Sequence, residues 1–89
     1  FGPKRLRMRE VSLTIITEQA KNINNLMDYM KKYDMFVENV SIRDVSNSEK
    51  ILHEIDIRFS TIETNNTIEL YNRLRKLNFV QNIKIEYLD

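Results

Sequence analysis

The side chains best suited to chemistry in this 89-residue sequence are few and scattered. Cysteine is absent and His53 is the only histidine, so thiolate metal sites, disulfides and a second imidazole ligand are excluded. Glu54 and Asp56 lie two residues apart beside Arg58, where ion pairing across a sheet is the ordinary outcome. We therefore expect no catalytic residue, no metal site and no cofactor.

The sequence also lacks the residues that two activities of small α+β domains require, namely phosphate chemistry and RNA binding. The first predicted strand-to-helix turn, at residues 17–21, has no glycine and carries Glu18, so no phosphate cradle is expected there. RNA-binding sheets stack bases on exposed aromatic side chains. The exposed positions of the predicted central strands hold no aromatic residue and include Glu54 and Asp56. We predict that the chain is not an enzyme and binds no nucleic acid.

Composition and charge indicate one small folded domain. Hydrophobic residues make up 42% and charged residues 30%, an ordinary globular mixture, and a chain of this length builds a thin core. Residues 1–10 hold four basic side chains and one acidic one, whereas the remainder is slightly acidic. No run of about 18 apolar residues is present, so no segment of the sequence is predicted to cross a membrane.

Hydrophobic periodicity predicts six elements that must position any site. Alternation with period two indicates strands, and apolar residues at i, i+3, i+4 and i+7 indicate helices. In chain order the elements are a strand at 10–17, a helix at about 22–34, strands at 36–45 and 51–61, a helix at about 66–77 and a strand at 80–87. The β-α-β-β-α-β order predicts a ferredoxin-like α+β sandwich, with a four-stranded antiparallel sheet and two helices on one face.

The basic N-terminal stretch conflicts with the alternation of the first strand. Arg7 and Arg9 have the same parity as the core positions Val11 and Leu13, and a straight strand is not expected to place both types on one face. Either a bulge shifts the register near Arg9, or the strand starts there and the basic residues form a tail. We assign residues 1–9 to a linker and residues 10–89 to the domain.

The second strand has the pattern of a sheet edge. Phe36, Val40 and Ile42 share one parity, and Glu38 and Asp44 interrupt that face. The unpaired backbone groups of such an edge can extend a sheet with another strand. We predict a self-association edge at Phe36, Val40 and Ile42, and a possible homodimer formed through it.

The element order, the missing metal ligands and the second strand from Phe36 to Ile42 (FVENVSI) resemble an ACT domain, a small regulatory module. The resemblance implies pairing edge to edge and binding of an amino acid beside the first strand-to-helix loop. The ligand-binding residues would be Thr17, Glu18 and Gln19, together with the second strand of a neighbouring copy. The loop that follows Thr17 lacks the glycine that brings backbone amides to the effector in this family.

The whole chain also resembles, at the level of its pattern, the C-terminal cytoplasmic domain of MgtC/SapB (magnesium transporter-C) membrane proteins. The basic segment 1–9 is similar to the linker that follows their transmembrane helices, and the segments LMDYM (26–30) and VSIRD (40–44) are similar to their helix and second strand.

This resemblance implies a non-enzymatic regulatory or assembly domain of a bacterial inner-membrane protein linked to magnesium limitation. The domain would lie in the cytoplasm, and its partner would be the membrane domain of the same parent chain. The acidic residues are scattered, so no magnesium site is expected on the domain itself. The alternative interpretation is a stand-alone amino-acid sensor of the ACT type.

Overall fold

The structure is a computed structural model that describes residues 7–19, 21–46, 49–62 and 66–88. Its elements are β1 (Met8–Thr17), α1 (Asn22–Lys32), β2 (Met35–Ser46), β3 (Ile51–Ile62), α2 (Thr67–Arg75) and β4 (Asn82–Tyr87). The strands form one antiparallel sheet in the order β2-β3-β1-β4. The predicted ferredoxin-like α+β sandwich is confirmed.

Both helices pack on one face of this sheet. Successive residues of β1 alternate between buried and half-exposed, as expected for a sheet that is covered on one side. Each helix contributes an i, i+4 pair to the same core. The buried apolar side chains are Val11, Leu13, Ile15, Leu26, Met30, Met35, Ile55, Ile57, Phe59, Leu70, Leu74 and Val80.

The basic residue Arg9 shares the helix-covered face with the core. β1 begins at Met8 and pairs with β3 without a bulge. Of the two predicted alternatives, the register shift is therefore wrong, and the strand begins close to Arg9. The Arg9 guanidinium lies 3.7 Å from the centroid of the Tyr87 ring. At the end of the strand, a cation that stacks on an aromatic ring can occupy a position on the core-facing side and still be partly solvated. Residues 1–6 of the predicted linker lie outside the described residues.

A β-bulge in β2 corrects one prediction about the sheet edge. The pairing of β2 with β3 shifts at Glu38, an extra residue on β2. Val40 and Ile42 lie opposite buried isoleucines of β3, whereas Phe36 lies opposite Ser60 on the open face. The prediction that Phe36 shares a face with Val40 and Ile42 is wrong, because one extra residue reverses the alternation of side chains.

The second helix starts with a side-chain cap that we expect to be measurable. Asn66 has an extended backbone, and its Oδ1 accepts a hydrogen bond from the Glu69 N–H at 2.9 Å, with the spacing of a capping box. Asn66→Ala should lower the free energy of unfolding by about 1 kcal/mol in urea denaturation. Asn72→Ala, on the exposed side of the same helix, is the control and should not lower it, because alanine has the higher helix propensity. Equal losses would contradict the capping role.

Candidate functional site

The three residues predicted to bind a ligand line one cleft. The cleft has a volume of about 410 Å³ and lies between the end of β1, the start of α1 and the connection from α2 to β4. Its lining residues are Thr17, Glu18, Gln19, Asn22, Asn78, Phe79 and Gln81. The predicted residues 17–19 are therefore brought together, and four residues that the sequence did not indicate join them.

Two hydrogen bonds to Gln81 fix the position of the α2–β4 connection beside the end of β1. The Gln81 N–H donates to the Ile16 carbonyl oxygen at 2.9 Å. The Arg75 guanidinium donates to the Gln81 carbonyl oxygen at 3.1 Å, which ties the same residue back to α2. These bonds place the Gln81 side chain beside the loop that joins β1 to α1. The far wall of the cleft is thus set by tertiary contacts between distant segments.

Glu18 is the charged centre of the cleft. Its Oε1 accepts one hydrogen bond from Lys50 Nζ at 2.8 Å and another from Gln81 Nε2 at 3.1 Å. The hydrogen bond from Lys50 and its positive charge lower the pKa of Glu18, with a further contribution from Gln81. The same ion pair raises the pKa of Lys50. The carboxylate is therefore held in its charged form next to a compensating cation.

The Glu18–Lys50 ion pair should make the stability of the folded state depend on pH in the acidic range. A carboxyl group whose pKa is lowered by folding stabilises the folded state above its unfolded pKa, and this contribution is lost as pH falls through the folded pKa. We expect Lys50→Gln to raise the pKa of Glu18 towards its ordinary value, as measured by NMR titration of the side-chain carboxyl carbon. Lys31→Gln, exposed on α1, should leave this pKa unchanged. An unaltered Glu18 pKa in the Lys50 variant would contradict the pairing.

Besides the Thr17 hydroxyl, the remaining polar side chains that line the cleft are neutral amides. Gln19, Asn22, Asn78 and Gln81 each offer both hydrogen-bond donors and an acceptor. Phe79 adds a half-buried aromatic ring to the lining. This combination can satisfy a small molecule that carries both donors and acceptors.

The first helix begins at the cleft without a side-chain cap. Lys21 occupies the N-cap position and makes no capping bond to the described residues, and the first turn of α1 contains no acidic side chain. Asn22 Nδ2 donates a hydrogen bond to Thr17 Oγ1 at 3.5 Å. The positive end of the helix dipole consequently lies at the cleft.

Other chemistry-bearing residues lie on the sheet and are paired with each other. His53 Nδ1 is 3.0 Å from Asp44 Oδ1 across the β2–β3 pair. Arg43 Nη2 donates to Glu54 Oε2 at 2.6 Å, as cross-strand pairing predicted, and Asp56 accepts from a threonine hydroxyl of β1. Within the part of the chain that the structure describes, no three His, Asp or Glu side chains lie close enough to hold a metal ion.

The predicted association residues lie on an edge strand. β2 and β4 are the two edges of the sheet. Phe36, Val40 and Ile42 are all exposed on β2, although the bulge divides them between two faces. An edge with exposed apolar side chains is suited to association. Pairing of a second strand with β2 remains a prediction.

Known structures share this fold. No family model matches the sequence, and no curated protein matches it. The chain is similar to the ACT domain from GTP pyrophosphokinase of Chlorobium tepidum in its solution NMR structure, with a TM-score of 0.64 and 15% identity over 89% of this chain and 86% of that chain. For the crystal structure of that domain, the TM-score is 0.55 with 18% identity over 92% and 100% of the two chains. The ACT-like fold is confirmed. Among the described helices, none is long and apolar enough to cross a membrane.

Proposed function

We propose that the chain is a non-enzymatic regulatory domain that binds a small zwitterionic molecule, of the amino-acid class, in the cleft at residues 17–19. The observation that carries the proposal is the meeting of two distant segments around a polar cleft of about 410 Å³. Small-molecule sites typically measure roughly 300–1,000 Å³. The ACT-like fold supports the proposal, since ACT domains are small regulatory modules.

The two charged groups of a zwitterion have complementary partners at the cleft. Lys50 and Gln81 both bond to Oε1 of Glu18, and Oε2 of the same carboxylate can accept from an ammonium group. The uncapped start of α1 favours a carboxylate, as do the side-chain amides of Gln19 and Asn22. In this proposal the side-chain amides replace the backbone amides that a glycine would bring close to the effector.

A ligand screen followed by thermal and chemical unfolding tests this function. Binding to the folded state at one hundred times Kd raises the free energy of unfolding by about 2.7 kcal/mol. We expect at least one amino acid at millimolar concentration to stabilise the chain, and Glu18→Gln and Asn78→Ala to abolish that shift. Asn72→Ala lies outside the cleft lining and should retain it. A blank screen of amino acids and related zwitterions would overturn the proposal.

We propose further that this regulatory domain is the cytoplasmic C-terminal part of an MgtC-type inner-membrane protein linked to magnesium limitation. The basic stretch at residues 1–9 and the pattern resemblance support this, and the partner is then the membrane domain of the parent chain. A stand-alone sensor is the alternative and uses the same cleft. Sequencing the native reading frame upstream of Phe1 separates them. Apolar runs of about 20 residues upstream support the first, and a start codon close to Phe1 supports the second.

A further inference from the structure

One end of the sheet carries a row of apolar side chains on the face that the helices leave open. β1 and β2 begin at this end, and β3 and β4 finish there. Each strand or the residue adjoining it contributes one member, and the members are Met8, Phe36, Ile62 and Leu88. Met8 is 44% exposed, Phe36 50% and Leu88 41%, whereas Ile62 is half-buried. We call this row the apolar rim.

The strand register places these side chains together. Met8 pairs with Ile62 and is three positions from the buried Val11. Because side chains alternate between the two faces of a sheet, this odd separation from a core residue puts Met8 and its partner on the open face. Leu88 follows Tyr87, which pairs with the same valine, and its N–H bonds to β1 at 2.9 Å, so its side chain also belongs to the open face. The apolar rim is thus assembled by the fold from four separate segments.

Basic side chains lie at the same end of the molecule. Arg7 precedes β1, and Arg9 is the second residue of this strand. Lys31 and Lys32 are exposed in the last turn of α1, which two residues separate from the start of β2. A groove of about 320 Å³ has both Lys31 and Phe36 in its lining and so joins the cations to the apolar rim.

The sequence that leads into β1 adds to the positive charge. Residues 4–9 hold four basic side chains and no acidic one. The carboxylates of Glu10, Asp34, Glu38 and Glu69, close to the strand ends or in the first turn of α2, offset part of this charge. Electrostatic attraction of an anionic surface is therefore moderate, and stable binding needs apolar contact as well.

We propose that this end of the domain docks on an anionic lipid bilayer, with the apolar rim among the upper acyl chains and the arginines and lysines among the headgroup phosphates. Binding at a membrane surface combines buried apolar area with attraction to anionic lipids. An acidic protein or a nucleic acid would engage the cations and leave the apolar rim in water. The inference concerns the domain itself, and it requires neither a ligand in the cleft nor a membrane segment upstream.

Co-sedimentation with lipid vesicles tests the docking. The 89-residue chain should bind vesicles of phosphatidylcholine with about one third phosphatidylglycerol roughly tenfold more tightly than phosphatidylcholine alone. Binding should weaken at about 0.5 M salt, which screens exposed charges. Lys31→Gln combined with Lys32→Gln should weaken it about tenfold. The matched control is Lys21→Gln with Lys76→Gln, which removes the same charge at the opposite ends of the two helices and should leave binding nearly unchanged.

A fluorescent side chain tests contact of the apolar rim with the acyl chains. The sequence has no tryptophan, so Phe36→Trp introduces a single indole. Its emission should shift to shorter wavelength on anionic vesicles and be quenched by brominated acyl chains. Ile42→Trp is the control, because Ile42 is 52% exposed on the same strand but on the other face, and its emission should not change. Leu88→Ser should weaken vesicle binding about fivefold.

Three results would overturn the inference. The first is no binding to anionic vesicles at low salt. The second is an equal loss with the lysine pairs at the two ends, which assigns binding to net charge. The third is binding that depends on Lys31 and Lys32 while the Phe36→Trp emission stays unchanged, which assigns the surface to an acidic macromolecule. Circular dichroism confirms that each variant is folded. Ligand-induced stabilisation is measured without vesicles, so failure of docking is distinguishable from failure of the proposed function.

Discussion

Phe59→Ala is expected to lower the free energy of unfolding by about 3–5 kcal/mol. Phe59 is 0% exposed on the central strand β3, where it pairs with Val11 of β1 and Val37 of β2. Removing the ring deletes contacts to the sheet and helices together and leaves a cavity that a close-packed core refills only partly. A domain of this size has about 5–15 kcal/mol of total stability, so the variant should be close to unfolding.

A second phenylalanine provides the matched control for this measurement. Phe36 also lies on a strand, but it is 50% exposed on the open face at the sheet edge. Phe36→Ala should cost less than about 1 kcal/mol in the same urea denaturation series. Equal losses for the two variants would show that the core is not organised around Phe59. The slope of the transition should stay unchanged for Phe36→Ala, because the surface exposed on unfolding is nearly the same.

Thr61→Val is expected to lower the free energy of unfolding by about 1–3 kcal/mol, because it removes a hydrogen bond to the turn that joins α1 to β2. Thr61 is buried, and its Oγ1 donates to the Asp34 carbonyl oxygen at 2.9 Å. Asp34 has a φ of 58°, which side chains with a Cβ adopt only at an energetic cost. Valine keeps the shape and the β-branch of threonine and removes the donor. The carbonyl oxygen of a strained turn then loses its partner.

The control for this prediction is the same exchange at a less demanding position. Thr67→Val, half-exposed at the start of α2, should change the free energy of unfolding by less than about 0.5 kcal/mol. Asp34→Gly should be neutral or stabilising, because glycine takes positive φ without steric cost. If Thr61→Val leaves stability unchanged, the hydroxyl does not hold the turn.

The elements and the core were largely predictable because their signals are local. Alternation in β3 predicts one face with Ile51, His53, Ile55, Ile57 and Phe59. Ile55, Ile57 and Phe59 are buried, whereas Ile51 at the end of the strand is 64% exposed and His53 is half-buried. Helical spacing likewise predicts a buried stripe with Leu70, Leu74, Leu77 and Tyr71. Leu70 and Leu74 lie in the core and Leu77 packs against it, whereas Tyr71 is exposed. A strand without irregularities and a helix of constant pitch convert sequence spacing directly into a common face.

The predictions failed where the alternation of buried and exposed residues along a strand is interrupted or continues beyond the core. At Glu38 one extra residue moved Phe36 to the open face, and nothing in the spacing marks a bulge, since it depends on the neighbouring strand. At Arg9 the parity was correct, but a stacking partner supplied by the last strand made the position acceptable. Both outcomes depend on pairing between segments that are distant in sequence.

The candidate site was likewise predicted only in part. The resemblance to ACT domains indicated Thr17, Glu18 and Gln19, and the structure places all three at one cleft. The opposite wall, which includes Asn78 and Gln81, was missed. The sequence signal was a short amide-rich connection before β4, which has no meaning until β4 is known to lie beside β1.

By itself, the sequence determined the order of the elements, the buried face of each helix and the absence of thiol and multi-histidine chemistry, because composition and periodicity are properties of the chain alone. Only the tertiary structure decided that β4 forms the second edge, where the ladder contains a bulge and which side chains surround Glu18. The physical reason is that these features arise from hydrogen bonds and packing between distant segments, whose register a local pattern does not encode.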